Sequence, residues 1–95
     1  MRYVRFSLMR PLAGREAEVK ELNERLIAFY QGQQGCLQGY LLTAADDSGE
    51  LGRLSLWESA EAADRAANDQ HSLSLRSRLH LLVRKGHTER SFYTE

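Results

Sequence analysis

The spacing between apolar residues changes from two to three or four and back to two along this chain, and this change limits the folds it can adopt. Residues 3–10 alternate, with Val4, Phe6 and Leu8 on one parity, which is typical of a strand with one dry face. Over residues 15–31 the apolar positions recur at intervals of three and four, which predicts an amphipathic helix. The chain therefore begins with a strand followed by a helix.

The middle of the chain predicts a hairpin and a short helix. Cys36–Thr43 and Leu51–Trp57 have the composition of strands, and the Asp- and Gly-containing turn between them predicts an antiparallel hairpin. In the second of these strands, Leu54 and Leu56 share one parity. Ser59 is a good N-cap for Ala60–Ala67, whose alanine content favours a helix.

The end of the chain completes the set of elements. Residues 68–72 are polar and predict a turn between helices, a second helical segment follows and ends before Gly86, and residues 87–93 supply a last strand. This order is that of a ferredoxin-like α+β domain, a split β-α-β arrangement whose antiparallel sheet carries its helices on one face. We predict one such domain over residues 1–95, with the other sheet face left for a partner to cover.

Size and charge exclude several classes of protein. The 95 residues are too few for two cores, and 13 basic residues balance 13 acidic ones, which argues against nucleic-acid and membrane partners. We expect a soluble, cytoplasmic protein, since no apolar run approaches the roughly 20 residues of a spanning helix and no signal peptide is recognisable.

Cys36 is the only cysteine, so no internal disulfide can form. A domain this small, with 42% apolar residues, gains stability when a further apolar face is buried against a second copy, so we expect a homodimer.

Two segments carry a family resemblance. Residues 35–42 (GCLQGYLL) and 54–63 (LSLWESAEAA), separated by the turn, resemble the antibiotic-biosynthesis monooxygenase-like family, and residues 68–71 (NDQH) stand where many members carry a turn ending in His. The resemblance implies a dimeric α+β barrel, in which the open sheet faces of two protomers pack together. It also implies a cavity in each subunit between helices and sheet.

The strands contain a first group of candidate site residues. Trp57 shares its parity with Ser55 and Arg53, so it could stack on a planar ligand in that cavity or, alternatively, anchor the corner between strand and helix. Tyr3 and Ser7, on the mixed face of the first strand together with an arginine, could bind a phenolate or quinone oxygen. Alternatively, the tyrosine and arginine of this strand meet solvent or the partner chain.

Three further residues have both a functional and a structural interpretation. Tyr40 faces either the cavity or a packed surface, and His71 is either a general base or a capping residue in its turn. Arg76 either reaches an acidic or phenolate substrate or belongs to a solvated helix face. His71 and His80 are nine residues apart with no further ligand at a suitable spacing, so we expect no metal site.

These residues lead to a functional hypothesis. Haem degradation is disfavoured, because Ser7 stands where haem-degrading members of the family carry Asn and Ala60–Ala67 contains no Trp. The leading hypothesis is a monooxygenase that needs no cofactor and acts on a small aromatic phenol or quinol. One alternative is a non-catalytic dimer that binds a small molecule or serves in stress, since the His that many members carry in this helix is missing near Ala66. Another is a structural oligomerisation domain with a filled interior.

Overall fold

The computed structural model describes all 95 residues, and its elements follow the predicted order. None of the helices has the length and apolar character needed to span a bilayer. The elements are β1 (Tyr3–Met9), α1 (Glu16–Gln31), β2 (Cys36–Thr43), β3 (Leu51–Trp57), α2 (Ala60–Ala67), α3 (Gln70–His80) and β4 (Thr88–Tyr93).

The four strands form one antiparallel sheet in the order β2-β3-β1-β4. In the central pair, Tyr3 lies opposite Trp57 and Ser7 lies opposite Arg53. Directly opposed residues of antiparallel strands share a face, so the mixed polar residues of β1 and β3 lie on the same side of the sheet. This topology confirms the predicted ferredoxin-like α+β fold.

All three helices pack on that mixed face. Their apolar stripes are buried there, together with the rings of Tyr3 and Trp57. The core therefore lies between an apolar helical layer and the mixed sheet face, to which Tyr3, Met9, Leu51 and Trp57 contribute apolar side chains. The buried aliphatic residues of the helices are Val19, Leu22, Leu26, Ala62, Ala63, Ala66, Leu75 and Leu79.

The other side of the sheet is apolar and carries no helix. Phe6 and Phe92 stack on it with their ring centroids 5.9 Å apart, and Tyr40 is 51% exposed there. We call this surface the open face. Its members, placed by strand register, are Val4, Phe6, Leu8, Tyr40, Leu42, Leu54, Leu56 and Phe92.

The junction between α2 and α3 differs from the prediction. The turn expected over residues 68–72 is shorter, because the Asp69 side chain accepts a hydrogen bond from the His71 backbone N–H at 2.9 Å and caps α3. A capped first turn tolerates polar residues, so Gln70 and His71 are helical in spite of their polarity. α3 ends at His80, which agrees with the prediction that this helical segment ends before Gly86.

The close approach of β1 and β3 at Gly52 gives a test of the sheet. A Cβ at this position would overlap the backbone carbonyl of Ser7. Gly52→Ala is therefore expected to lower the free energy of unfolding by about 2–3 kcal/mol or more, as overpacking in a rigid site does. Gly32→Ala is the matched control, since its new Cβ meets only backbone oxygens at 3.6 Å or beyond. Urea unfolding followed by circular dichroism measures both, and equal stabilities of the two variants would contradict this register.

Candidate functional site

A cleft of about 410 Å³ opens on the helix-covered side of the sheet. Most of its lining is polar, and it is bounded by β1, β3, β4 and the helices. The predicted interior cavity is therefore present as a cleft with a polar floor. The residues that define its chemistry are Arg5, Ser7, Arg53, Ser55, Arg76 and Glu89.

Arg53 is the most deeply buried charged residue of the cleft, with 7% of its surface exposed. Its Nη1 donates to Oδ1 of Asn23 at 2.8 Å, and no carboxylate forms an ion pair with it. Burial lowers the pKa of Arg53 from its ordinary value, and the nearby charge of Arg76 lowers it further, while Tyr30 and Glu89 act in the opposite direction. The result is a guanidinium whose only strong partner is neutral.

Asn23 holds this guanidinium in place although the sequence analysis did not select it. It is fully buried on α1, and its Nδ2 donates to the backbone carbonyl of Val19 at 2.9 Å. That bond fixes the orientation of the amide, so the oxygen points at Arg53. A polar residue within the apolar spacing of α1 was the available sequence signal.

Arg5, in contrast, is neutralised within the chain. Its Nη2 donates to Oδ1 of Asp64 at 2.7 Å and to the hydroxyl of Tyr3 at 2.9 Å. Burial alone would lower the pKa of Arg5, but the hydrogen bonds to Asp64 and Tyr3 outweigh it, and the pKa is raised. Tyr3 is itself buried and does not line the cleft, so it acts on the cleft through Arg5.

Trp57 lies outside the cleft, so it offers no stacking face to a ligand there. It is 1% exposed, its Nε1 donates to Oγ of Ser55 at 2.8 Å, and its ring meets the edge of Tyr30 at 5.8 Å. This geometry matches the alternative interpretation, an anchor for the corner between β3 and α2. Tyr30 of α1 does line the cleft and shares a 2.7 Å hydrogen bond with Ser72.

Tyr40 lies on the opposite side of the sheet from the cleft. A register shift between Cys36 and Gln38 adds one residue to β2, so that Tyr40 pairs with Leu54. A one-residue shift moves every following side chain to the other face, which the alternation pattern alone could not reveal. The predicted contact between Tyr40 and a ligand in this cleft is therefore wrong.

His71 also lies away from the cleft. It is exposed in the first turn of α3, and its ring lies 4.9 Å from that of Phe29. The helix cap at this position is the Asp69 side chain, which accepts from the His71 backbone N–H, so the His71 side chain is a solvent-exposed residue and not the cap. No set of three His, Cys, Asp or Glu side chains is placed to bind a metal ion.

The cleft therefore brings together Ser7, Arg53, Ser55 and Arg76 from the predicted site. It adds Glu89 of β4, whose Oε1 lies 3.7 Å from Nε2 of His87. The arrangement offers cationic donors and one free carboxylate around a space large enough for a small aromatic molecule.

Comparison with known proteins agrees on the fold. No protein-family model and no curated protein matches the sequence. Among solved structures, Rv0793 from Mycobacterium tuberculosis matches with a TM-score of 0.90 at 19% identity, over 100% of this chain and 96% of that one. SnoaB, a cofactor-independent oxygenase from Streptomyces nogalater, matches with a TM-score of 0.82 at 22% identity, over 100% and 95%.

A third structure, described as an antibiotic biosynthesis monooxygenase, matches with a TM-score of 0.86 at 18% identity, over 100% of this chain and 99% of that one. The chain therefore has the fold of antibiotic-biosynthesis monooxygenases. At these identities the likeness establishes the architecture of one chain, and it confirms the ferredoxin-like α+β fold that the resemblance implied for each protomer.

The bond between Asn23 and Arg53 gives a second test. Asn23→Leu leaves the buried guanidinium without its acceptor, so the free energy of unfolding is expected to fall by about 2–3 kcal/mol. In the double variant with Arg53→Met the two losses should not add, because each single change removes the same bond. Urea unfolding at one protein concentration measures this cycle, with Glu24→Leu on the exposed side of α1 as control. Additive losses would contradict the coupling.

Proposed function

We propose that this protein is a cofactor-independent monooxygenase that acts on a small aromatic phenol or quinol. The observation that carries the proposal is the guanidinium of Arg53, buried without an anionic partner in the wall of a 410 Å³ cleft. Such a group stabilises an oxyanion that forms during reaction, and it does so more strongly in a partly dry site than in water. The fold shared with SnoaB, a cofactor-independent oxygenase, supports the same conclusion.

The proposed reaction begins with ionisation of the substrate hydroxyl. Arg53 and the hydroxyl of Ser7 donate to the resulting oxygen anion, and the proton passes to Glu89. Glu89 is suited to this step because the other carboxylate of the cleft, Asp64, is held by Arg5. His71, the base considered from the sequence, lies too far outside the cleft to take this role.

The ionised ring is then electron-rich enough to reduce dioxygen. A ring carbon conjugated with the oxyanion forms a bond to one oxygen atom, the O–O bond breaks, and the carbon loses its hydrogen. Overall, a phenol and one dioxygen give a quinone and one water, so the substrate itself supplies the electrons. The surrounding helices limit access of water to the reactive intermediate.

The remaining predicted residues have supporting roles in this proposal. Ser55 accepts a hydrogen bond from Trp57, and this bond stabilises β3 beside Arg53. Tyr3 accepts a hydrogen bond from Arg5 and so helps to hold Arg5 in its ion pair with Asp64. Arg76 lines the cleft and adds a second positive charge. Tyr40 and His71 take no part.

A non-catalytic protein that binds a small molecule is the second candidate. It is favoured by the absence of any histidine among the residues that line the cleft. Such a protein would bind the same aromatic molecules without consuming oxygen. The filled interior expected of a purely structural domain fits the surroundings of Trp57 but not the cleft that begins at Ser55.

We further propose that the active protein is a homodimer joined through the open face. That face presents eight apolar residues on a sheet without a covering helix, and Phe6 and Phe92 stack on it. Contiguous exposed apolar surface of this kind is typical of subunit interfaces. The cleft lies on the other side of the sheet, so dimerisation leaves it accessible.

Oxygen uptake tests the reaction. Purified protein freed of metal and flavin is expected to consume oxygen with a panel of quinols and hydroxyanthrones. Arg53→Lys, which keeps the charge but loses the planar fork, should lower kcat/KM by about ten- to a hundredfold. Arg25→Met, an exposed position on α1, is the control and should keep full activity. Ligand binding without oxygen uptake in a folded dimer would overturn the reaction and favour the binding protein.

Light scattering after size-exclusion chromatography tests the dimer. The expected mass is twice the 10.9 kDa of one chain. Leu54→Glu places a charge at the centre of the open face and should shift the protein to monomer, because an unpaired buried charge is costly at an interface. Leu81→Glu is the matched control, since Leu81 is 77% exposed but lies outside the sheet. A monomeric unaltered protein at all concentrations tested would refute this interface.

A further inference from the structure

The charges around the cleft do not balance within the chain. Arg5 and Asp64 form an ion pair at 2.7 Å and cancel each other. Arg90 also lines the cleft, but its guanidinium lies over the Phe92 ring of the open face, 4.9 Å from the ring centroid. Arg53 and Arg76 then face only one carboxylate, that of Glu89, whose closest ionic partner is His87 at 3.7 Å. The floor of the cleft therefore carries one positive charge in excess.

The excess charge is costly where it lies. Arg53 is more than nine-tenths buried, and its partners within the chain are the neutral amide of Asn23 at 2.8 Å and the side chain of Tyr30, neither of which is a carboxylate. Arg76 is half-buried, and its one hydrogen bond within the chain is a long contact of 3.4 Å to the Ala67 carbonyl. Two guanidinium groups held near each other, with burial and without a shared anion, repel one another and lose hydration.

From this arrangement we infer that the substrate carries a carboxylate in addition to its reacting hydroxyl, and that Arg53 and Arg76 bind this carboxylate together. The inference rests on the proposed function for the hydroxyl, but the carboxylate contact stands on the charge arrangement alone. A carboxylate is planar and matches the fork of a guanidinium with two parallel hydrogen bonds. The preferred substrate class is therefore an aromatic hydroxy acid.

A single negative charge suits the cleft better than two. Before reaction, the carboxylate of the substrate neutralises the excess charge left by Arg53, Arg76 and Glu89. When the hydroxyl ionises, its proton goes to Glu89, so the total charge of the occupied cleft does not change. A phosphate monoester would bring a second negative charge against Glu89 before any proton has moved, which disfavours that class.

Isothermal titration calorimetry with three related probes tests the inference without any turnover. The probes are a hydroxynaphthoate, its methyl ester and the parent naphthol, which differ only in the charged group. The hydroxynaphthoate is expected to bind about ten- to a hundredfold more tightly than the ester, as a hydrogen bond to a charged group provides. This advantage should shrink as salt is raised, since the excess charge is partly exposed.

Variants identify the residue responsible. Arg76→Met is expected to remove most of the advantage of the hydroxynaphthoate while leaving the affinity for naphthol unchanged, and Arg76→Lys should restore part of it. Arg25→Met, which changes the same net charge on the exposed side of α1, should leave all three affinities unaltered. Thermal unfolding of each variant separates lost binding from lost folding, and Arg76 is the preferred site because it is less buried than Arg53.

The outcomes separate this inference from the proposed function. Equal affinities for the hydroxynaphthoate and its ester would overturn the carboxylate contact, even if neutral quinols support oxygen uptake. Selective binding of the hydroxynaphthoate that depends on Arg76 would support the contact, even if no substrate supports oxygen uptake. An advantage that survives Arg76→Met and Arg53→Lys alike would place the anion elsewhere and refute the assignment.

Discussion

The hydrogen bond between Arg53 and Asn23 connects the fold of this protein to its chemistry. The amide of Asn23 is fully buried, is fixed by the Val19 carbonyl, and directs its oxygen at Nη1 of the arginine 2.8 Å away. A neutral acceptor satisfies the geometry of the guanidinium but leaves its charge uncompensated. The cleft therefore keeps an uncompensated cation, which the proposed anionic ligand would neutralise, whereas a carboxylate in place of Asn23 would have cancelled it.

This arrangement depends on how the sheet divides its residues between two faces. The helices cover the mixed face, which supplies Tyr3, Met9, Leu51 and Trp57 to the core as well as the polar residues of the cleft, while the apolar face of the sheet is left open. An antiparallel sheet commonly packs one face on a core and leaves the other to solvent, but here the uncovered face is the more apolar one. A second chain on the open face, as we propose, would supply the burial that a 95-residue domain lacks.

Sequence periodicity predicted the fold well, because most elements depend on local spacing. β2, β3 and α2 have the predicted ends, and the element order led directly to the observed topology. The misplaced boundary at α3 has a local cause that periodicity does not register, the cap by Asp69. Composition and spacing are therefore sufficient for the elements and less reliable for their ends.

The site was less predictable, because it depends on interactions between distant residues. The bulge in β2 places Tyr40 on the open face. Trp57 lies in the core, where its Nε1 donates a hydrogen bond to Ser55. Asn23 and Glu89 lie near Arg53 because of how α1 and β4 pack in the fold, and residue spacing alone does not show this packing. Parity on β1 and β3 did select Ser7 and Arg53, since these two strands pair without a bulge.

The alternation of side chains on β1 places open-face residues and cleft residues at neighbouring positions of one strand. Phe6 points to the open face, while its neighbours Arg5 and Ser7 pair with Ser55 and Arg53 on the covered face. Adjacent positions can therefore change independently, one altering the open face and the next altering the cleft. Because the backbone of β1 is shared, however, any shift in its register would exchange the two sets at once. At Gly52, β3 approaches β1 so closely that a Cβ would overlap the backbone of Ser7. This close approach favours the observed register, and the register keeps the open-face residues and the cleft residues on their separate faces.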